Sequence, residues 1–313
     1  MNIIVLHGGV STEREVSIKS GINVADALTK MGHVVNLVDV KTELDWYSED
    51  GTKFHFDKVG DLKPKPELIF NALHGKFGED GQVQAMLDIL KVPYTGSDVL
   101  ASSLGINKAK CYEILEKFDI DIPKTYEIKN LKEIDYLDLP FPLFVKPNDG
   151  GSSVATGRAN NQEELFKLVQ QSQATSTSTL IQELVEGDEV TCPVLGSGGH
   201  AYSLPVGMIK TENTFFDYEA KYNSDATIET FPAPIPEKEF KKIQEMSLEI
   251  HRLLDCKGIS RSDFIISKNR IVFLEINTSP GMTKSSLCPK AALAAGLSFE
   301  QLLNQIILDT NSR

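Results

Sequence analysis

Glu275 and Asn277 stand two residues apart, directly after the apolar run 271–274. An extended strand alternates its side chains, so both would share one face. A carboxylate and an amide at the end of an otherwise buried strand need a cation nearby, because a lone buried charge is costly. Oxygen donors of this kind suit a hard divalent ion carried in with phosphates. Residues 260–266 also read as a strand, and Lys268-Asn-Arg270 as a tight turn, so the two strands should form a hairpin. Asp263 joins the same face only if directly opposed residue numbers add to an even total. That requires an odd-length loop or a bulge. A three-residue loop or its equivalent is predicted, with Asn269 in the left-handed position.

A second set of residues suits phosphate. Lys146 ends the apolar stretch 143–145 and is followed by Pro147 and by Asn148-Asp-Gly-Gly-Ser-Ser-Val154. Backbone N–H groups and hydroxyls of such a glycine-serine loop can face phosphate oxygens. The loop lacks the lysine spacing of a Walker A motif. Asn107 is a helix cap, and Lys108 lies just inside that helix, where a cation opposes the helix dipole. Phe215 to Tyr222 and the prolines after Phe231 could form a lid that excludes water. The acids of 186–189 read either as ribose ligands or as a solvated turn.

The elements that must position these groups begin with strands at 2–6, 34–38 and 68–72, alternating with a helix to about residue 31 stopped by Gly32. This alternation predicts an α/β chain with an open parallel sheet, whose ligands lie beyond the carboxyl ends of the strands. Thr12 and Glu15 form a capping-box pattern at the helix start. The crevice would then hold Gly8-Gly9, Glu13 and His74. Glu13 alone reads as a helix-end charge, and His74 alone equally as structural or catalytic. Further helices are predicted at 159–169, 237–254, from Ser285 or Ser286 towards Ala295, and at 298–308, with strands at 180–185 and 190–195.

Composition narrows the class. The 313 residues carry a net charge of −12, against a nucleic-acid or acidic-membrane partner. Hydrophobic residues at 41% and charged residues at 24% are ordinary for a globular enzyme. The cysteines at 111, 192, 256 and 288 show no paired spacing and read as free thiols in a reducing cytoplasm. No signal peptide and no spanning segment is expected. A dinucleotide oxidoreductase would need a GxGxxG pattern that Gly8-Gly9 does not complete. An inactive nucleotide-binding protein would have no use for the acids and Arg261 together.

In this order, HGGVSTEREVSIKSG, HGKFGEDG, KPNDGGSSV, YEAKY, RSDF and LEINTSPGMTKSSL resemble the D-alanine–D-alanine ligases of the ATP-grasp superfamily. The resemblance covers nearly the whole chain. It implies a three-lobed ATP-grasp fold: an N-terminal open-sheet domain over 1–104, a central lobe over 105–186 and a C-terminal lobe over 187–313. It implies ATP-dependent joining of two D-alanines through a D-alanyl phosphate, with release of ADP and phosphate, for peptidoglycan precursor synthesis. Lys108 and Lys146 would hold the α- and β-phosphates under the loop at Ser152 and Ser153, with Lys221 on the γ-phosphate. Glu183, Leu184 and Val185 would contact adenine, and Glu189 the ribose. Asp263, Glu275 and Asn277 would bind two Mg2+ ions, which Mn2+ could replace. Glu13 would take the ammonium group of the first D-alanine. Ser286 and Leu287 would take the carboxylate of the second. Arg261 and the Gly281 N–H would face the oxyanion, with His74 near the incoming amine. Tyr222 would bridge Ser152 and Glu13, and its presence favours an amine over the hydroxyl of D-lactate, the nucleophile of a related ligase type. A cytoplasmic homodimer is also implied. Ala155 stands where many relatives have glycine, and Gln182-Glu183 where some have Glu-Lys.

Overall fold

The computed structural model describes residues 1–136, 140–150, 155–211 and 227–311. The chain opens with β1 (Asn2–Gly8), buried along almost its whole length, as expected for a central parallel strand. It pairs in parallel with β2 (Val34–Val40) on one side and β5 (Leu68–Asn71) on the other. Two short strands missed in the sequence, β3 (Asp45–Ser48) and β4 (Lys53–His55), extend the β2 edge in antiparallel fashion. The expected parallel sheet is therefore a mixed one, in order β4-β3-β2-β1-β5. The links between β2, β3 and β4 are too short for the crossover that a parallel neighbour needs.

Helix α1 (Arg14–Lys30) crosses from β1 to β2. The expected capping box does not form. Ser11 Oγ donates to the His74 carbonyl at 2.6 Å and accepts from the Glu13 N–H at 3.1 Å. The helix begins at Arg14, with Glu13 in the N-cap position and no side-chain cap hydrogen bond. Its end is as expected: Gly32 takes φ +86, and the following N–H of His33 reaches back to Leu28 O. Helices α2 (Gln82–Leu90), α3 (Val99–Ile106) and α4 (Lys108–Leu115) follow.

The second sheet is antiparallel, in order β6-β9-β7-β8, from β6 (Thr125–Ile128), β7 (Leu143–Pro147), β8 (Gly157–Ala159) and β9 (Thr179–Glu183). Helix α5 (Gln162–Gln173) covers it with Leu165 and Val169. This helix starts later than the expected 159. Ala159 pairs with Leu143 in the sheet, and the Asn161 side chain accepts from Glu164 N as the true cap.

The third sheet contains β10 (Asp188–Leu195), β11 (Tyr202–Ser203), β12 (Gly207–Thr211), β13 (Thr227–Thr230), β14 (Ile259–Ser267) and β15 (Arg270–Asn277). Its order is β13-β12-β10-β14-β15, with β11 on the far part of β10. Helix α6 (Glu237–Leu253) buries Ile243, Met246 and Ile250 against it. The last helices, α7 (Leu287–Ala294) and α8 (Phe299–Asn311), pack instead with Ile3, Val5 and Phe70 of the N-terminal sheet and with Leu28 of α1. Helix α4 shares the core of the third sheet through Cys111, Tyr112 and Leu115. The apolar cores thus cross from one sheet to another, and the site lies where they meet. No single helix among the described residues is long and apolar enough to cross a membrane.

Candidate active site

The β14–β15 hairpin carries the centre of the site. Ser267 pairs with Arg270, so the turn is the two residues Lys268 and Asn269, not the expected three. Asn269 is absent from the residues with positive φ, which corrects its left-handed assignment. A bulge supplies the register instead. Phe264 opposes Phe273, but Asp263 opposes Glu275, so Leu274 is passed over. From there on opposed numbers add to an even total, and Arg261 opposes Asn277. Arg261, Asp263, Glu275 and Asn277 consequently share one face of the hairpin.

Their charges interlock. Arg261 grips Asp263 with Nε at 3.0 Å and Nη2 at 2.8 Å from the two carboxylate oxygens. Thr191 on β10, a partner not expected from the sequence, donates to Asp263 Oδ1 at 2.6 Å. Burial presses the Arg261 pKa down, but the Asp263 carboxylate outweighs it, so the guanidinium stays charged. Lys108 Nζ lies 3.5 Å from Glu275 Oε2 and donates to Gly150 O at 2.8 Å. Asn277 Oδ1 accepts from Ser279 N at 3.0 Å, which fixes its amide oxygen on this face. Two carboxylates and one amide oxygen beside two cations form an all-oxygen donor set that fits a hard divalent ion and the phosphates it accompanies.

The residues expected to meet phosphate converge from two other elements. Asn107 caps α4 through Lys110 N, as expected, and Asn148 ties the start of that helix to the loop through Ala109 N at 2.8 Å. Lys146, buried at the end of β7, donates to Tyr112 Oη at 3.0 Å and to Leu274 O at 3.1 Å. Asp149 holds the loop base by accepting from Ser176 Oγ and from Thr177 Oγ1. Ser152, Ser153, Lys221 and Tyr222 lie outside the described residues. Ala155, at the far end of the loop, has φ +58. Its Cβ makes that left-handed backbone cost about 1–2 kcal/mol. Ala155→Gly is therefore expected to raise stability by about 1 kcal/mol in urea unfolding, in place of the loss that glycine normally brings.

Glu183, Leu184 and Val185 lie half-buried at the end of β9. The Glu183 carboxylate meets Arg270 Nη1 at 3.0 Å and accepts from Lys124 N, so its side chain fastens the β14–β15 turn to the second sheet. Arg270, not singled out in the sequence, also takes Asp121 through both carboxylate oxygens. Glu189 lies near the start of β10, opposite Ile265.

The N-terminal sheet closes the site from the other side. Glu13 stands at the N-cap position of α1, and its carboxylate lies over Gly75, where an added Cβ would meet Glu13 Oε2 at 2.9 Å. His74 is buried, with Nδ1 2.9 Å from Ser279 O and Nε2 3.0 Å from Ser20 Oγ. Facing a carbonyl, Nδ1 must carry a hydrogen. Ser20 Oγ in turn accepts from Met282 N at 3.2 Å. One histidine and one serine thereby hold both ends of the turn 279–282, which contains Gly281. Burial presses the His74 pKa down, but the Glu79 carboxylate at 3.7 Å outweighs it, and the net shift is upward. Gly281 approaches Ser286 closely: a Cβ there would lie 2.9 Å from Ser286 Oγ. Ser286 is the N-cap residue of α7 and Leu287 its first residue, so that helix start faces the turn. The four cysteines are free and buried, and burial pushes each thiol up to about 12, so none serves as a nucleophile.

Comparison with known proteins bears on both halves of this site. The family described as D-ala D-ala ligase N-terminus matches residues 2–97, and the one described as D-ala D-ala ligase C-terminus matches residues 100–308. The chain belongs to the D-alanine–D-alanine ligase family. It is 39% identical over 308 residues to the D-alanine–D-alanine ligase of Pseudothermotoga lettingae, with 98% of each chain covered. It is 37% identical over 313 residues to that of Halalkalibacterium halodurans, again with 98% of each covered. Among solved structures, the VanG D-Ala:D-Ser ligase from Enterococcus faecalis superimposes with a TM-score of 0.87 at 30% identity over 99% of each chain. The D-alanine–D-alanine ligase from Bacillus anthracis complexed with ATP does so with a TM-score of 0.82 at 30% identity, covering 100% of this chain and 98% of its own. The three sheets are those of the ATP-grasp fold that these ligases share.

Proposed function

We propose that this ligase joins two D-alanines into D-alanyl-D-alanine, the dipeptide of peptidoglycan precursors, with one ATP converted to ADP and phosphate. The observation that carries this reading is the register that sets Asp263 opposite Glu275 with Lys108 beside it. In the first step the carboxylate of one D-alanine attacks the γ-phosphate to give the acyl phosphate. Lys108 and Lys146 orient the phosphates, with Ser152, Ser153 and Lys221 completing their cradle. Glu183, Leu184 and Val185 take adenine and Glu189 the ribose. Asp263, Glu275 and Asn277 would hold two Mg2+ ions, which neutralise charge on the transferring phosphoryl group when bound.

In the second step the amine of the other D-alanine attacks the acyl carbon, and phosphate leaves. Glu13 orients the first substrate's ammonium group, and Tyr222 would bridge to Ser152 and Glu13. Arg261 and the Gly281 N–H face the oxyanion, while Ser286 and Leu287 hold the second carboxylate. His74 acts on this reading through the 279–282 turn, because Nδ1 meets Ser279 O and Nε2 meets Ser20 Oγ, which accepts from Met282 N. Lobes over 1–104, 105–186 and 187–313, a cytoplasmic site of action and a homodimer complete the proposal. Light scattering tests the dimer.

Phosphate release from Mg-ATP tests the whole. Release is expected with D-alanine alone, not with L-alanine, and is abolished by EDTA. Addition of D-serine or D-lactate should not divert the product from the dipeptide. Absence of D-alanine-dependent release would overturn the reading.

A further inference from the structure

Tyr112 lies one helical turn after Lys108 on α4 and is buried. Its hydroxyl donates to Leu274 O at 2.5 Å, and a carbonyl can only accept. With its single hydrogen committed there, the phenol oxygen accepts from Lys146 Nζ at 3.0 Å and from Gln182 Nε2 at 3.4 Å. Burial raises the pKa of this phenol, so the hydrogen stays in place at neutral pH. Leu274 is the residue passed over by the bulge. Its carbonyl takes both the Tyr112 hydroxyl and Lys146 Nζ, the latter at 3.1 Å. The neighbouring Phe273 packs edge-on against the Tyr112 ring, with centroids 6.2 Å apart, and its N–H donates to Asp121 O at 2.8 Å. Lys108 and Tyr112, spaced i and i+4, thus reach two successive residues of β15: the Glu275 carboxylate and the Leu274 carbonyl.

We propose that the Tyr112 hydroxyl is a positioning group of the nucleotide and metal site, aiming the Lys146 ammonium and holding the Leu274 bulge that sets Glu275 opposite Asp263. Two of the three Lys146 donors are directed at Tyr112 Oη and Leu274 O, which fixes the direction of the ammonium. Without the hydroxyl, the bulge carbonyl loses one of its donors, and the Lys146 ammonium loses one of its oxygen partners. The inference rests on the roles proposed above for Lys146 and Glu275.

Tyr112→Phe keeps the ring against Phe273 and removes only the hydroxyl. Its ATP Kd, measured by calorimetry in EDTA, is expected to rise about tenfold. Its Mn2+ affinity, read by electron paramagnetic resonance with ADP present, is expected to fall several-fold. KM for ATP should follow, with KM for D-alanine within twofold. In a Lys146→Met background the same change should move the metal-free ATP Kd by less than twofold, because the group it aims is gone. Equal effects in both backgrounds, an ATP Kd within twofold of the parent, or a chain that no longer folds would overturn the proposal. If Lys146→Met alone leaves the ATP Kd unchanged, the error lies in the reading of Lys146. If the unaltered enzyme releases no phosphate with D-alanine, it lies in the proposed reaction.

Discussion

Glu275→Gln is expected to lower D-alanine-dependent phosphate release at saturating Mg-ATP by about a thousandfold while the protein still folds. The two side chains have the same shape, so the bulge and the pairing with Asp263 persist. What disappears is the negative charge at the centre of the oxygen set. A metal at such a site contributes several kcal/mol to a phosphoryl-transfer transition state, and about 4 kcal/mol corresponds to a thousandfold in rate. The effect on stability is much smaller. Glu275 Oε2 lies 3.5 Å from Lys108 Nζ with its side chain 27% exposed, and Lys108 retains Gly150 O as a partner. A loss of about 1 kcal/mol or less follows for so loose and partly solvated a pair. A coupled ADP assay over a range of Mg2+ concentrations, together with a thermal melt, checks both halves. Activity within tenfold of the parent would remove Glu275 from the metal set.

That the decisive face of the hairpin was legible beforehand comes from strand alternation alone. Alternation puts Glu275 with Asn277 and Arg261 with Asp263 regardless of any neighbour. The parity condition then demanded a bulge or an odd loop. It could not choose between them, because the choice is made by groups distant in the chain. Tyr112 and Lys146 hold Leu274 O, and Asp121 O takes Phe273 N. None of these contacts leaves a periodic trace, and a mid-helix tyrosine reads simply as core. The short strands Asp45–Ser48 and Lys53–His55 escaped notice for another reason. Short, half-exposed segments carry too few residues for alternation to register. The start of α5 was readable and missed: Asn161 with Glu164 three residues on is itself a capping signature. At α1 the same kind of signal misled: the Thr12–Glu15 spacing is present, but the N-cap position falls one residue later, on Glu13.

Arg261→Lys is expected to lower kcat by between a hundredfold and a thousandfold, with KM for ATP within threefold. The guanidinium holds Asp263 with Nε and Nη2, and this turns Nη1 away from the carboxylate. On the proposed roles, one side chain can thus neutralise an acid of the metal set and present a further donor to the reacting carbonyl. A lysine has a single ammonium and no planar fork, so it serves one partner at the expense of the other. Losing one preorganised oxyanion donor costs about 2.7–4 kcal/mol of barrier. Lysine is the informative replacement because it preserves the charge. Arg261→Met would leave the buried Asp263 with Thr191 as its hydrogen-bond partner among the described residues, and breaking a buried pair costs about 3–5 kcal/mol of stability. The loss should fall on the second step. Rapid-quench analysis should find ADP formed in a first turnover faster than dipeptide, whereas the unaltered enzyme forms the two together. A defect confined to KM for ATP would move Arg261 from the oxyanion to the nucleotide.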